Sequence, residues 1–179
     1  MPERTVIGVT LGDPSGVGPE VIVKAFADPA LHQESKLFVI GAIEPIQRAI
    51  EQVGLSQSVR SIKTPSDANS SSDSIDVVEL DEIQDTDFPM GVLSEKSARA
   101  SHAWVEAAIQ LALAGSLDAI TTAPVNKEAW RLAGFSDKGH QEVLQRLTGA
   151  DYVATMLVSG PLRCMHLSTH LSLSEACDY

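Results

Sequence analysis

The chain has 179 residues, of which 44% are hydrophobic and 21% charged, an ordinary composition for a globular protein with one sizeable core. Its 13 Lys and Arg against 24 Asp and Glu give a formal net charge of −11, which repels polyanions, so we expect no nucleic acid partner. Because no apolar run reaches the roughly 20 residues that span a bilayer, we expect no membrane partner and a cytoplasmic protein, with Cys164 and Cys177 as free thiols.

Strand and helix patterns alternate from the start of the chain. Residues 5–11 are rich in β-branched side chains and predict a strand, followed by a glycine-rich turn and a helix that begins near Pro19. Residues 36–40 predict a second buried strand, and residues 44–53 predict a helix that Gly54 ends.

The middle of the chain has weaker patterns. Residues 59–62 and 75–80 predict short strands, whereas the polar, Ser-rich stretch 64–74 predicts a loop. Residues 81–90 are acidic and irregular, and no element is predicted there.

The second half predicts a long helix, a strand end, two short helices and an antiparallel hairpin, before a loop that enters a last helix. In chain order these are helix 95–114 with Ser94 as its N-cap, strand 118–121, helices 127–133 and 140–147, and strands 152–159 and 162–167.

Repeated alternation of strand and helix favours an α/β sheet with helices on its faces. In such sheets ligands gather beyond the carboxyl ends of the strands. We therefore expect functional residues in the turns after Leu11, Thr121 and Leu167.

The first of these turns reads GDPSGVGPE over residues 12–20. Its glycine spacing matches neither the dinucleotide fingerprint nor a Walker A loop. Two interpretations remain open: a tight strand-to-helix turn, or backbone N–H groups left free at a helix start to meet an anion.

The second turn places Asn126 and Lys127 at the entry to a helix, beside hydroxyl groups. These residue types suit recognition of a phosphorylated or carboxylated substrate. The alternative is that Thr122 or Asn126 only caps the helix while Lys127 faces solvent.

Histidines supply the other candidates. His140 begins a predicted helix, where a neutral imidazole could contact a substrate hydroxyl or phosphate, although an ordinary exposed histidine fits equally well. His170, past a strand end, is a better metal ligand than His166, which we expect to pack in its strand, and Cys164 and Cys177 do not complete a common zinc pattern. His32 and His102 have no acidic or hydroxyl neighbours that suggest a triad.

Four blocks in register identify a resemblance. They are GDPSGVGPE (residues 12–20), TAPVNKEA (122–129), Gly134 with the following Gly139-His140-x-Glu142, and Thr169-His170-Leu171. Over essentially its whole length the chain resembles 4-hydroxythreonine-4-phosphate dehydrogenases. The resemblance implies a two-domain α/β/α subunit similar to the isocitrate and isopropylmalate dehydrogenases, with the active site in the interdomain cleft of a homodimer.

The implied reaction is oxidation of 4-phosphooxy-L-threonine to 2-amino-3-oxo-4-phosphooxybutyrate, followed by decarboxylation, in pyridoxal phosphate biosynthesis. Hydride would pass to NAD or NADP, and a divalent metal (Zn, Mg, Mn or Co) would polarise the reacting oxygen. Carried onto this chain, His140 and Gln141 would contact the phosphorylated substrate, and His170 would be one of three metal-binding histidines. Lys127 and Asp13 are the predicted catalytic residues.

Two departures from the family pattern matter. The family usually has Thr where this chain has Gln141, which leaves open D-threonate or D-erythronate 4-phosphate as substrate, or a relative of aromatic dihydrodiol dehydrogenases. The chain also resembles only the N-terminal portion of the family, so we expect the C-terminal portion to be absent and residues 1–179 alone to be inactive. From another class, a non-catalytic module that binds phosphate esters remains an alternative.

Overall fold

A parallel β-sheet forms the centre of the fold in the computed structural model, which describes residues 4–166, 168 and 171–178. Within that part of the chain the sheet has five strands in the order β3-β4-β2-β1-β5, all parallel to their neighbours. The strands are β1 (Thr5–Thr10), β2 (Ser35–Ile40), β3 (Ser58–Ile62), β4 (Ser74–Val78) and β5 (Ala119–Thr122).

Helices follow or connect these strands. They are α1 (Gly18–Phe26), α2 (Pro29–Glu34), α3 (Ile43–Val53), α4 (Glu95–Leu113), α5 (Lys127–Leu132), α6 (His140–Thr148) and α7 (Leu173–Cys177). The α/β class expected from the sequence is therefore confirmed. The finer prediction of a two-domain subunit similar to isocitrate dehydrogenase stays a prediction.

The helices cover both faces of the sheet. Ile7 and Val9 of β1 line an apolar cavity of about 300 Å³ with residues of α1 and α2. Gly8, between them, faces the other way, because a Cβ on it would lie 2.9 Å from a methyl carbon of Leu117, just after α4. Helix α4 packs on β1, β2 and β5, and helices α5 and α6 pack on α4. Helix α1 packs against α3.

Helix α2 is an element that the sequence patterns did not predict. Its N-cap is Asp28, whose side chain accepts a hydrogen bond of 2.9 Å from the backbone N–H of Ala30, and Pro29 occupies the first helical position. These are ordinary start signals for a helix. The helix has only six residues, which is too short for an apolar periodicity to develop.

The Ser-rich segment 64–74 is organised by one buried carboxylate. Asp76 is 2% exposed, and its two oxygens accept hydrogen bonds of 2.7 and 2.9 Å from the Arg60 guanidinium. One of them also accepts the backbone N–H of Asn69 at 2.6 Å. Burial would raise the pKa of Asp76, but the bonds from Arg60 and the backbone outweigh it and hold that pKa below its usual value.

The same segment gives His32 a hydroxyl partner, which corrects the expectation that it has none. The Nδ1 atom of His32 lies 2.8 Å from Ser70 Oγ, and its Nε2 lies 2.8 Å from the carbonyl oxygen of Phe26. The ring is buried, and both of its nitrogens are hydrogen-bonded. Ser70 is 38 residues away along the chain, so local sequence could not reveal the pair.

A separate antiparallel hairpin follows α6, as expected. Its strands are β6 (Met156–Ser159) and β7 (Leu162–Met165), and every residue in them is exposed. Large apolar side chains stand on this hairpin, with Val158 61% and Leu162 65% exposed. No helix within the described residues is long and apolar enough to cross a membrane.

We predict that Asp76→Asn lowers the free energy of unfolding by about 1–3 kcal/mol at pH 7, because Arg60 and the Asn69 amide lose a charged acceptor. Since the pKa of Asp76 is depressed in the folded state, its contribution is present above the unfolded-state pKa and is lost as pH falls through the folded value. Urea denaturation should therefore show the gap between variant and wild type narrowing below about pH 4. Asp73→Asn, at an exposed position in the same segment, should change little, and an equal loss in both variants would contradict the assignment.

Candidate functional site

The strand order changes direction at β1: β2 lies on one side of it and β5 on the other. From β1 the chain leads through α1 to β2 on one side, whereas β5 pairs with the other side of β1 and leads into α5. Helix α5 packs on α4, which covers one face of the sheet, whereas α1 lines the cavity on the other face with Ile7 and Val9, so the helices that follow these two strands lie on opposite faces. A crevice beyond the carboxyl ends of such strands is where α/β proteins bind ligands.

The first and second predicted turns meet at this crevice. Thr10 and Thr122 are paired in the sheet register, and the N–H of Ala123 donates to the carbonyl of Thr10 at 3.1 Å. Beyond the strand ends, the N–H of Asp13 donates to the carbonyl of Pro124 at 2.8 Å. The structure thus brings together two segments that lie more than 100 residues apart along the chain.

Gly12 makes this approach possible. Its φ is +72°, a left-handed conformation that favours glycine, and a Cβ atom built on it would lie 2.5 Å from the carbonyl oxygen of Pro124. A side chain would therefore push against backbone and not against a flexible side chain. The glycine at the start of the first turn is required by close packing of the two turns.

Asp13 is buried in the first turn, where its carboxylate organises the backbone. Its Oδ1 accepts a hydrogen bond of 2.9 Å from the N–H of Ser15, and the Ser15 hydroxyl lies 2.6 Å from that of Ser97 near the start of α4. Burial raises the pKa of Asp13, and the Ser15 amide opposes that rise. These contacts give Asp13 a role in shaping the turn, while the predicted catalytic role stays a prediction.

The second turn starts α5 with a side-chain cap. The Asn126 side chain accepts a hydrogen bond of 3.0 Å from the N–H of Ala129, so the capping interpretation is correct for Asn126, whereas Thr122 ends β5. Lys127 is exposed, but its side chain lies across Gly139. A Cβ on Gly139 would be 3.2 Å from Lys127 Cε and 3.6 Å from Nζ.

His140 is half-buried at the first position of α6 and is not the exposed histidine of the alternative interpretation. Its Nε2 atom is buried and has no hydrogen-bond partner in the described part of the chain. The indole of Trp130 meets the imidazole edge to face, with ring centroids 5.9 Å apart. Burial and then the charge of Lys127 lower the pKa of His140, so its imidazole is neutral at neutral pH.

Gln141, next to it, is held by the segment before the hairpin. Its side-chain N–H donates to the hydroxyl of Thr155. The amide at this position therefore links α6 to the segment that leads into β6. A threonine side chain, which is shorter, would not reach as far from α6.

A buried histidine–carboxylate pair behind His140 was missed by the sequence patterns. His102 of α4 lies with its Nε2 atom 3.0 Å from Asp137 Oδ2, which corrects the expectation that His102 has no acidic partner. The same carboxylate accepts from Arg146 at 2.7 Å. A separation of 35 residues hides the pair from local patterns, although the position of Asp137 three residues before His140 is a usable signal.

The cysteine and histidine group near the end of the chain is only partly described. Cys164 and Cys177 are free and exposed. His166 follows β7 and its backbone N–H donates to the carbonyl of Thr155 at 3.1 Å. Among the described residues no cluster of three His, Cys, Asp or Glu side chains could hold a metal ion. The predicted metal ligand His170 lies outside the described residues, as do Leu167 and Thr169.

We predict that Gly12→Ala costs at least about 2 kcal/mol more free energy of unfolding than Gly54→Ala, measured by urea denaturation. Both glycines have positive φ, near +72° and +75°, but a Cβ at Gly54 meets nothing within 4 Å. Gly54→Ala therefore isolates the conformational cost, about 1–2 kcal/mol. Equal losses in the two variants would show that the approach of Pro124 does not constrain the first turn.

We also predict that His140 titrates below the ordinary histidine value of 6.5 and that Lys127→Met raises its pKa, because removal of a nearby positive charge favours the imidazolium. Histidine side-chain NMR over a pH series measures both effects. Lys138→Met is the matched control, since Lys138 is closer in sequence but does not depress the pKa of His140. An ordinary pKa in the wild type, or an equal rise in the control, would refute this account of the site.

Comparison with known proteins agrees with the resemblance seen in the sequence. The model of the family described as pyridoxal phosphate biosynthetic protein PdxA matches residues 33–179. The chain is 39% identical over 171 residues to D-threonate 4-phosphate dehydrogenase from Cupriavidus necator, an alignment that covers 96% of this chain and 51% of the relative.

Solved structures give the same result. A crystal structure of a 4-hydroxythreonine-4-phosphate dehydrogenase from Burkholderia phymatum matches with a TM-score of 0.89 and 38% identity, over 97% of this chain and 52% of that one. A terephthalate 1,2-cis-dihydrodioldehydrogenase from Burkholderia xenovorans LB400 matches with a TM-score of 0.71 and 25% identity, over 97% and 50% of the two chains. The chain spans about half the length of these relatives. Because the family model covers most of its residues, the chain belongs to the PdxA family.

Proposed function

We propose that this chain supplies the substrate-binding face of an NAD(P)-linked dehydrogenase that oxidises the secondary alcohol of a phosphorylated hydroxy acid. The observation that carries the proposal is the buried Nε2 atom of His140, which has no hydrogen-bond partner among the described residues and lies beside the ammonium group of Lys127. A buried polar atom without a partner is costly, and a bound substrate would satisfy it.

The two side chains would divide the work of recognition. His140 is neutral, so its Nε2 can donate to a substrate oxygen or accept a proton from a hydroxyl, depending on the tautomer. Lys127 carries a fixed positive charge that attracts a phosphate or carboxylate. Both residues lie at helix starts, Lys127 at the first position of α5 and His140 at the first position of α6.

A divalent metal and a nicotinamide cofactor belong to the same proposal. Imidazole nitrogen is a donor that Zn, Mn and Co accept readily, and His170 would be one of three histidine ligands. The metal would polarise the substrate oxygen, and NAD or NADP would take the hydride. In this chain Asp13 would fix the first turn against the crevice, because its carboxylate holds the Ser15 amide.

Two kinds of phosphorylated substrate are compatible with the proposal. The first is 4-phosphooxy-L-threonine, whose oxidation to 2-amino-3-oxo-4-phosphooxybutyrate would serve pyridoxal phosphate biosynthesis. The second is D-threonate 4-phosphate or its four-carbon relative D-erythronate 4-phosphate. The name of the Cupriavidus necator relative and the presence of Gln141 favour the second choice. The likeness to a dihydrodioldehydrogenase keeps an aromatic carboxylate as a further alternative, which indifference to phosphate would reveal.

We also propose that the active form is a homodimer with a site shared between subunits and set between two domains. The chain spans about half the length of its relatives, so further residues of such a site would lie outside it. Residues 1–179 alone would then bind substrate without completing the reaction.

The proposal predicts turnover in a polypeptide of the relatives' full length with this chain as its N-terminal half. Reduction of NAD or NADP should require D-threonate 4-phosphate or 4-phosphooxy-L-threonine, should stop under chelation and should return with Zn, Mg, Mn or Co. His170→Ala should lower turnover about 100-fold or more, since loss even of an outer-shell partner costs about 10- to 100-fold. The absorbance of the reduced cofactor measures each effect.

The matched control is His166→Ala, which removes an imidazole four residues earlier and should keep most of the activity. Full turnover under stringent chelation would refute the metal mechanism. Calorimetric binding of both phosphate esters, with no turnover and no metal dependence, would instead establish a non-catalytic binding module.

A further inference from the structure

A carboxylate in the loop before α6, that of Asp137, joins helices α4 and α6 close to His140. Asp137 is 9% exposed, and its Oδ2 lies 3.0 Å from His102 Nε2 of α4 and 2.7 Å from Nη2 of Arg146 of α6. The same Arg146 nitrogen lies 2.8 Å from Glu106 on α4. Hydrogen bonds from Arg146 and then from His102 outweigh burial and lower the pKa of Asp137, so it is ionised. An ionised carboxylate only accepts, so the proton between the pair sits on His102 Nε2.

The imidazole of His102 is fixed in turn by aromatic rings. Phe135 stacks on it with centroids 3.8 Å apart and an interplanar angle of 6°. Trp130 meets it edge to face at 4.9 Å, and the Trp130 indole N–H donates to the Ser101 hydroxyl at 2.8 Å. Trp130 is fully buried, so its ring has little freedom to move.

Two chains of contacts lead from Asp137 to His140, one through aromatic rings and one through helix α6. Through rings, Asp137 holds His102, His102 contacts Trp130, and Trp130 contacts the His140 imidazole at 5.9 Å. Through the backbone, Arg146 ties α6 to Asp137, and His140 is the first residue of that helix. Rotation of α6 or displacement of Trp130 would therefore move the imidazole.

We propose that Asp137 is a positioning residue that, through His102, Trp130 and α6, holds the His140 imidazole in its half-buried place at the crevice. This inference rests on the proposed function, in which His140 contacts the substrate. Stability alone is a weak reason for the buried pair, because replacing a buried ion pair with apolar residues of similar volume is often neutral or stabilising. Geometry is the stronger reason, since the pair fixes ring orientations that apolar packing would leave less defined.

The test is histidine side-chain NMR on the 179-residue chain without ligand, with the His140 signals assigned by their loss in His140→Gln. Asp137→Asn keeps the size of the side chain but removes its charge. We expect the pKa of His140 to rise by about half a pH unit or more, because water reaches the ring when α6 and Trp130 loosen. Arg146→Gln is a second variant, which replaces Asp137→Asn in the test if that variant fails to fold. The Arg146 side chain is 44% exposed, so the fold should tolerate its replacement. The pKa of His140 should rise in this variant too.

Asp76→Asn is the matched control, because it breaks another arginine–carboxylate pair whose carboxylate is buried and should lower stability without touching His140. A His140 pKa that stays at or below the wild-type value in both Asp137→Asn and Arg146→Gln would overturn the proposal. So would an equal rise in Asp76→Asn, since that would reflect general loosening. The experiment contains no substrate, so a failure of phosphate-ester turnover would count against the proposed function and leave this result intact.

Discussion

The contact between the first turn and the β5 turn is the constraint on which the candidate site depends. Beyond the last bond between the strands, the backbone hydrogen bond from the Asp13 N–H to the Pro124 carbonyl joins the two turns that follow β1 and β5. It forms because Gly12 has no side chain to hold the two backbones apart. Lys127 follows Pro124 by three residues, so this bond helps to fix where α5 begins, while packing on α4 holds the rest of the helix.

Helix α5 in turn contacts the start of α6. The side chain of Lys127 crosses Gly139, and the buried ring of Trp130, on α5, meets His140. The two helices also share an apolar cluster with α4 that includes Val105, Ile109 and Val143. A neutral imidazole beside an ammonium group results from this packing, because burial and the lysine charge act in the same direction.

Sequence patterns predicted most of the fold, because strand and helix periodicities depend on near neighbours. The strand at residues 36–40 and the helix capped by Ser94 lie where the patterns predicted them. The histidine partners were not predictable in this way, because Ser70 and Asp137 reach His32 and His102 only through tertiary folding. Strand order was also beyond local patterns, since the pairing of β5 with β1 joins distant segments.

The exposed hairpin β6–β7 has a consequence for the chain in solution. Among the described residues no third strand pairs with it, and its exposed apolar side chains favour association between copies at short range, whereas the net charge of −11 favours their separation at long range. Salt weakens only the second effect, since the screening length falls from about 30 Å at 0.01 M to about 8 Å at 0.15 M. The colloidal stability of the chain should therefore decline as ionic strength rises, even where its folding is unaffected.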